Sequence, residues 1–177
     1  GCSGPHRDLM IAKPVFKKTR LANGVRVLTE HHPNSRAVSV GIWVLTGTRH
    51  ETPREAGVSH FVEHLVFKRT ENRNAFEIAR SMEAIGGEIN AFTGREYTCF
   101  HALCLKEFTG LAVDVLSDLG CRAVFESEDC DKEKQVVLQE IHMSEDVLED
   151  LIFDEFFERA YPESGLGWPI LGTKRSI

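Results

Sequence analysis

The sequence contains no apolar run of the roughly 18–20 residues that a membrane-spanning helix requires, so it predicts no membrane span. Its five cysteines form no C-x-x-C pair, which argues against a zinc ribbon or a thioredoxin-type redox motif. With only 14 Gly and 6 Pro in 177 residues, no low-complexity linker or collagen-like segment dominates the chain.

Clustered positive charge is also missing. The formal net charge is −6, and the densest basic run, residues 13–20, is short. A surface that neutralises the phosphates of a nucleic acid needs many clustered Lys and Arg side chains, so we expect no nucleic-acid partner. Cys99, Cys104 and Cys121 lie among apolar neighbours in the sequence, which favours buried, reduced thiols and a reducing compartment.

The composition that remains is that of an ordinary globular domain. Hydrophobic residues make up 42% of the chain and charged residues 27%, which excludes an intrinsically disordered segment. At a prior of roughly 150 residues per domain, the length predicts one domain. We expect a short N-terminal tail at residues 1–14 and a domain over residues 15–177.

The pattern of apolar residues predicts strand pairs that alternate with helices. Hairpins are expected at 15–29, around Asn23-Gly24, and at 88–105. A strand is expected at 37–46 that is covered on both faces or at least lies deep in the sheet. Helices are expected from residue 52 or from about 57 to 67, at 74–85, at 107–124, and from 127 to about 161 with one interruption. This order predicts an α+β fold, a mostly antiparallel sheet with helices packed on one face. Because the chain stops after a loop where another strand is expected, we expect it to be truncated at the C-terminal end.

The most informative segment is the H-x-x-E-H sequence formed by His60, Glu63 and His64. On a helix these three side chains point the same way, and two imidazoles four residues apart can bind one zinc ion. The alternative is ordinary core histidines in a chance arrangement. Shuffling a chain of this composition produces the motif only about 0.04 times, so we favour the metal site.

A catalytic zinc usually has three protein ligands, so a third should lie on another element. The helix expected after residue 127 has an apolar stripe that includes Glu140, where a carboxylate is unfavourable unless it is paired or binds metal. Glu133 lies two turns earlier on the same face and could orient a ligand. The predicted stripe is Glu133, Val136, Val137, Glu140, Ile141, Ser144 and Leu148. Without the H-x-x-E-H helix, two solvated glutamates would be the better interpretation.

In these residues and in the segments around them, the sequence resembles the M16 (pitrilysin/insulinase) metallopeptidases, and within them the mitochondrial-processing-peptidase-like branch. H-x-x-E-H is the inverted zinc motif. The segments that carry the resemblance, which extends over residues 15–173, are 21–27 (LANGVRV), 57–68 (GVSHFVEHLVFK), 86–93 (GGEINAFT), 137–141 (VLQEI) and 167–172 (GWPILG). Many members have Lys-Gly-Thr after the motif, whereas this chain has Lys68-Arg69-Thr70.

This resemblance implies a zinc endopeptidase that holds extended or presequence-like peptides against a sheet edge. It implies His60, His64 and Glu140 as zinc ligands, since the family's third ligand lies about 76 residues after the second His. Glu63 would be the general base that activates a zinc-bound water. Asn90, Ala91, Phe92 and Thr93 would pair with the peptide.

The resemblance also implies a partner, because family members are built from two similar domains or from paired subunits. This chain would supply most of the N-terminal catalytic domain, and a second domain or subunit would complete the substrate chamber. The expected location is the cytoplasm, or the mitochondrial matrix in a eukaryote. Two other functions stay open: a catalytically silent, partner-binding subunit of the same fold, and a metal hydrolase that acts on other bonds. Catalytically silent members generally lack one of the motif residues, whereas this chain has His60, Glu63, His64 and Glu140.

Overall fold

The computed structural model describes residues 13–177. The expected tail at residues 1–14 therefore lies almost wholly outside the described residues, as does Cys2. The described chain divides into two compact units, one that ends at Arg36 and one that spans residues 37–177. Within residues 13–177, no helix has the length and apolar character needed to cross a membrane.

The first unit is a β-hairpin. Strand β1 (Val15–Arg20) pairs antiparallel with β2 (Arg26–His31). The turn between them contains Gly24, whose φ of 91° lies in the left-handed region that glycine adopts without steric penalty. The hairpin predicted from Asn23-Gly24 is confirmed.

The second unit contains a three-stranded antiparallel sheet and five helices. Its elements in chain order are β3 (Ala37–Val44), α1 (Val58–Val66), α2 (Ala75–Glu83), β4 (Glu88–Thr93), β5 (Thr98–Leu105), α3 (Thr109–Arg122), α4 (Ser127–Glu145) and α5 (Leu148–Ala160). The strand order is β3-β5-β4, so β5 is central and β4 lies at an edge of this sheet. The predicted α+β class, the second hairpin and the interruption between α4 and α5 are confirmed.

The hydrophobic core lies between this sheet and the helices, with α3 against β3 and β5. Its fully buried members include Met82, Ala102, Val115 and Leu116. Strand β3 contributes Val38, Val40 and Ile42 to the core, while its alternate residues are exposed. The expectation that this strand is covered on both faces is therefore wrong, because its second face carries small residues and an exposed Trp43 rather than a second core. It does not lie deep in the sheet either, since the order β3-β5-β4 places β3 at an edge of this three-stranded sheet.

Helix α1 begins at the later of the two predicted positions. Thr52 and Glu55 do bond to each other, with Thr52 Oγ1 donating to Glu55 Oε2 at 2.7 Å, but a turn follows them. The N-cap is Gly57, with a φ of 91°. Buried Glu51, which sequence reasoning missed, accepts hydrogen bonds from the backbone N–H groups of Gly57 and Ser59, both at 2.8 Å. A carboxylate at the N-terminus of a helix accepts hydrogen bonds from backbone N–H groups that have no partner within the helix, and its negative charge interacts favourably with the helix dipole.

Several apolar residues of the helices are exposed. Cys121, which was expected to be buried, is exposed on α3, and Phe76 is 69% exposed on α2. Of the predicted stripe on α4, Val136 is 45% exposed. Leu148 is 77% exposed because α4 ends at Glu145 and a new helix, α5, begins at Leu148. Glu133, Val137 and Ile141 are buried as expected. A change of helix direction resets which face points inward, so a stripe cannot be extended through a break.

Candidate metal centre

Two helices bring the three predicted ligands together. Helix α1 packs against α4, and the ring centroids of His60 and His64 lie 4.6 Å apart. Oε2 of Glu140 lies 3.7 Å from Nε2 of His60 and 3.4 Å from Nε2 of His64. Among residues 13–177, these side chains form the one group of three whose ligand atoms, all within 4.8 Å of one another, could bind a metal ion.

The spacing of these atoms fits a small tetrahedral ion. Two ligand atoms each ~2.1 Å from such an ion lie ~3.4 Å apart. Glu140 Oε2 and Nδ1 of His60 are buried and have no hydrogen-bond partner in the described chain. Unsatisfied buried polar atoms are rare in folded proteins, and an acceptor aimed at two imidazole nitrogens is accounted for by a shared cation. The donor set of two imidazoles and one carboxylate suits zinc.

Burial prepares His60 for metal binding. Desolvation, and secondarily the neighbouring His64, lowers the pKa of His60 to about 4. The imidazole is therefore neutral at physiological pH and keeps a lone pair for coordination.

Glu133 contacts the second histidine from the side away from Glu140. Its Oε2 lies 3.2 Å from Nδ1 of His64, and its Oε1 lies 2.6 Å from Nζ of Lys68. The carboxylate is 8% exposed, so the ion pair with Lys68 offsets the penalty for burying it. Sequence reasoning had singled out Glu133 but missed Lys68, because nothing in the local pattern indicates that Lys68 reaches across to α4.

Glu63 lies beside the three-residue group and is not part of it. Oγ1 of Thr93 on β4 donates a hydrogen bond to Glu63 Oε2 at 2.5 Å. Burial raises the pKa of Glu63, and the Thr93 hydrogen bond and the charge of His64 oppose that shift. A carboxylate with a raised pKa is a stronger base, so Glu63 can take up a proton near the metal ligands.

A cavity of about 630 Å³ opens beside these residues. His60, Glu63 and the strand residues Ala91 and Thr93 form one wall. Parts of α4, α5 and the segment after α5 form the rest, including Met143, Asp150, Phe153 and Leu171. A volume of this size can hold several residues of a peptide or a small ligand.

Strand β4 divides the four residues predicted to bind substrate between its two faces. Thr93 bonds to Glu63 and Ala91 packs against the core, so both face the helices. Asn90 and Phe92 alternate with them and lie on the other face, although Phe92 also reaches the cavity rim.

Sequence reasoning also missed an ion pair between two residues that line this cavity, Arg95 and Asp154. Arg95, in the turn after β4, pairs with Asp154 on α5 at 3.0 Å. Its guanidinium also lies 3.8 Å from the ring centroid of Phe157 and donates to the carbonyl of Leu166. These contacts hold α5 against the sheet side of the cavity.

The chain is similar in sequence to a known protein family and to several known proteins. The sequence profile of the family "Insulinase (Peptidase family M16)" matches residues 26–174. An uncharacterized zinc protease of Bacillus subtilis, YmxG, is 44% identical over 163 residues, which cover 92% of this chain and 40% of that protein. An uncharacterized zinc protease of Mycobacterium leprae is 42% identical over 160 residues, which cover 90% of this chain and 36% of that protein.

A solved structure agrees on the fold. The crystal structure of a protease from Helicobacter pylori superimposes with a TM-score of 0.87 at 23% identity, over 93% of this chain and 40% of that one. The chain thus spans about 40% of the length of the relatives it matches. Because the profile match covers most of its length, including the H-x-x-E-H helix and Glu140, this chain belongs to the insulinase (M16) family of peptidases.

Proposed function

We propose that the protein that contains this chain is a zinc-dependent endopeptidase of the processing-peptidase-like type, which cleaves extended or presequence-like peptides. The observation that supports it most is the approach of Nε2 of His60, Nε2 of His64 and Oε2 of Glu140, with the Glu63 carboxylate beside them. Three ligands on two helices and one free carboxylate are the components that zinc-dependent hydrolysis requires.

In this proposal His60, His64 and Glu140 bind the zinc ion. The ion, when bound, would supply Lewis acidity to the substrate carbonyl and to water. His60 enters as the neutral imidazole because its pKa is about 4. His64 donates from Nδ1 to Glu133, which leaves its Nε2 lone pair for the metal.

Glu63 is the proposed general base. It accepts a proton from the attacking water at a carboxylate oxygen and returns it to the leaving amine. The Thr93 hydroxyl holds Oε2 of Glu63 by its hydrogen bond, so the carboxylate has a defined orientation. Burial raises the pKa of Glu63, which brings it closer to the neutral range in which proton transfer in both directions is fast.

The peptide would bind along the free edge of β4. The Ala91 N–H donates to the side-chain Oδ1 of Asn90 at 2.8 Å rather than to β5, so this amide points away from the sheet. On the side of β4 that faces β5, the Gly94 N–H donates to the carbonyl of Tyr97 at 2.8 Å. Successive amides of a strand point to opposite sides, so the amides of Ala91 and Thr93 point to the free edge. A substrate strand could replace the Asn90 side chain and pair with the backbone of Ala91 and Thr93.

Activity would require more than this chain. We propose that residues 15–177 form most of an N-terminal catalytic domain and that a second domain or subunit completes the chamber. The relatives are longer, since the matched region is 36–40% of their length. The cytoplasm, or a mitochondrial matrix in a eukaryote, is the proposed location.

The test replaces Glu63 by Gln in the full-length protein. Gln keeps the size of the side chain and removes its basicity, so zinc and peptide binding should persist while turnover falls by about 10²–10⁴. Zinc content is measured by elemental mass spectrometry and cleavage with an unstructured peptide of about 10 residues. Glu83→Gln, an exposed change at the end of α2, is the matched control.

The outcomes separate the roles. Normal cleavage by Glu63→Gln would remove Glu63 from the mechanism, whereas loss of zinc would make it a ligand. If the wild-type full-length protein binds peptide but cleaves none, the silent, partner-binding subunit becomes the better description.

A further inference from the structure

The helix that carries two of the metal ligands begins without a capping side chain of its own. The N-cap of α1 is Gly57, which has no side-chain acceptor. A β-carbon at Gly57 would lie 2.7 Å from both the Cα of Gly172 and the carbonyl oxygen of Leu171, so a side chain does not fit there. Because Gly57 is buried, acceptors for the free N–H groups at this helix end have to come from another part of the chain rather than from bulk water.

Glu51 supplies these acceptors with both of its carboxylate oxygens. Its Oε2 accepts a hydrogen bond from the Gly57 N–H and its Oε1 accepts one from the Ser59 N–H, each at 2.8 Å. Glu51 is only 8% exposed. A buried carboxylate needs partners, and here they are the backbone donors of a helix N-terminus, where the helix dipole also favours negative charge.

The two hydrogen bonds act on the turn of α1 that contains His60. Ser59 directly precedes His60 in the chain, and both lie in the first turn of the helix. Helix ends fray when their free backbone groups have no partners, so this turn is the part of α1 that depends most on Glu51. His64 lies one turn further along, and Glu133 on α4 contacts its Nδ1.

The backbone that carries Glu51 is fixed to the sheet. The N–H of Arg49, two residues before Glu51, donates to the carbonyl of Arg95 at 2.8 Å. The Arg49 guanidinium also pairs with Glu96 at 2.5 Å. Arg95 and Glu96 belong to the turn that joins β4 to β5. Glu51 therefore connects the start of α1 to the end of the edge strand β4.

We propose that Glu51 is a positioning residue for the metal centre, which fixes the first turn of α1, and with it His60, relative to strand β4. It acts through the backbone of α1 and not by binding the metal ion or the peptide. The hydrogen bond from Thr93 to Glu63 holds the following turn of the same helix to β4, so two contacts place α1 on this strand. The inference rests on the ligand role that the proposed function gives to His60.

Loss of the two hydrogen bonds should affect the two histidines unequally. In Glu51→Gln an NH₂ group replaces one carboxylate oxygen, and this group cannot accept a hydrogen bond from a backbone N–H. From the usual effect of losing a helix cap, we expect zinc affinity to fall by about threefold to tenfold. In the metal-free protein the imidazole nitrogen shifts of His60 should change, whereas those of His64 should stay as in the wild type because Glu133 still selects its tautomer.

The experiment uses the full-length protein with isotope-labelled histidine. NMR of the metal-free protein measures the imidazole nitrogens, and competition with a chelating dye measures zinc affinity. Glu55→Gln is the matched control, because Glu55 is an exposed carboxylate of the same loop that bonds to Thr52, and it should change neither quantity. Ile78→Val, which removes one methyl group from the core, controls for a general loss of stability and should keep the zinc affinity of the wild type.

A second variant covers the case in which Glu51→Gln folds poorly. Glu51→Asp keeps the negative charge, but its side chain is one methylene shorter and cannot reach both N–H groups in the same way. It should also change the His60 signals selectively and lower zinc affinity. If Glu51 acted only through its charge, Glu51→Asp would behave like the wild type, which would contradict positioning by the two hydrogen bonds.

The results separate positioning from general stability and from the proposed function. Lower zinc affinity with a change confined to the His60 signals supports the inference. Wild-type affinity and wild-type His60 signals in both Glu51 variants overturn it, as do equal changes at His60 and His64 or an equal loss of affinity in Ile78→Val. A wild-type protein that binds no zinc overturns the proposed function, while the His60 signals of the metal-free variants still decide whether Glu51 positions this residue.

Discussion

Nδ1 of His64 lies 3.2 Å from Oε2 of Glu133, while Nε2 of the same ring faces Glu140 at 3.4 Å. A carboxylate can only accept hydrogen bonds, so Nδ1 of neutral His64 must carry the proton. Glu133 thereby selects the tautomer that leaves Nε2 free for a metal ion. The His64 imidazole thus lies between Glu133, which orients it, and Glu140, which would bind the same metal ion.

Removing this orientation should weaken metal binding. Glu133→Ala deletes the acceptor for His64 Nδ1, and we expect zinc affinity to fall by about 10–100-fold with the ligands intact. Competition with a chelating dye measures the affinity. Glu128→Ala, on the exposed face of α4, should leave it unchanged. Equal affinities in the two variants would assign Glu133 a purely structural role.

Lys68 should act through Glu133 rather than on the metal. Lys68→Met removes the ion pair at 2.6 Å, and we expect zinc affinity to fall by roughly tenfold or less. Nitrogen chemical shifts of His64 in the metal-free protein should report a less uniform tautomer. Lys132→Met, an exposed change on α4, is the control. If Lys68→Met gives the same His64 shifts as the wild type, the ion pair does not position Glu133.

The three ligands should each be necessary. His60→Ala, His64→Ala and Glu140→Ala should each lose most of the bound zinc, because a three-ligand site loses chelation when one ligand is removed. Elemental mass spectrometry after dialysis measures the metal content. His142→Ala, an exposed change on the same helix as Glu140, should retain zinc. Full zinc affinity in Glu140→Ala would exclude it as the third ligand.

A buried acidic residue away from the metal centre should control stability at low pH. Asp118 is 1% exposed and accepts hydrogen bonds from Thr70, Asn72 and Arg73. Burial alone would raise its pKa, but these hydrogen bonds and the charge of Arg73 hold the pKa of Asp118 below its ordinary value. The stabilisation is complete above the unfolded pKa of about 3.9 and is lost as the pH falls through the lower folded value.

Asp118→Asn should therefore lower the free energy of unfolding at pH 7 by about 3 kcal/mol, because it leaves Arg73 without its buried partner. The variant should also lose less stability than the wild type when the pH falls below about 4. Urea denaturation at a series of pH values measures both effects. Asp114→Asn, which removes the exposed partner of Arg73, should change stability by no more than about 1 kcal/mol. Parallel pH profiles for Asp118→Asn and the wild type would contradict this assignment.

The local order of residues already determined the hairpins, most helices and the first half of the site. His60, Glu63 and His64 share a face because they are spaced at i, i+3 and i+4 on one helix, and that spacing holds wherever the helix lies. Glu140 could be selected from its position in an apolar stripe, although the stripe also included Val136 and Leu148, which are exposed. Periodicity identifies a face but not the point at which the helix ends.

Only the tertiary structure decided the contacts between residues far apart in the sequence. The Thr93–Glu63, Lys68–Glu133 and Glu133–His64 contacts join residues 30 or more positions apart, and no local pattern encodes them. The contact between the rings of Trp43 and Phe92 depends on the register of three strands, which pairs Trp43 with Cys99 and Cys99 with Phe92. Helix spacing follows from backbone geometry within one turn, whereas these contacts depend on how whole elements pack, which the sequence specifies only through the complete fold.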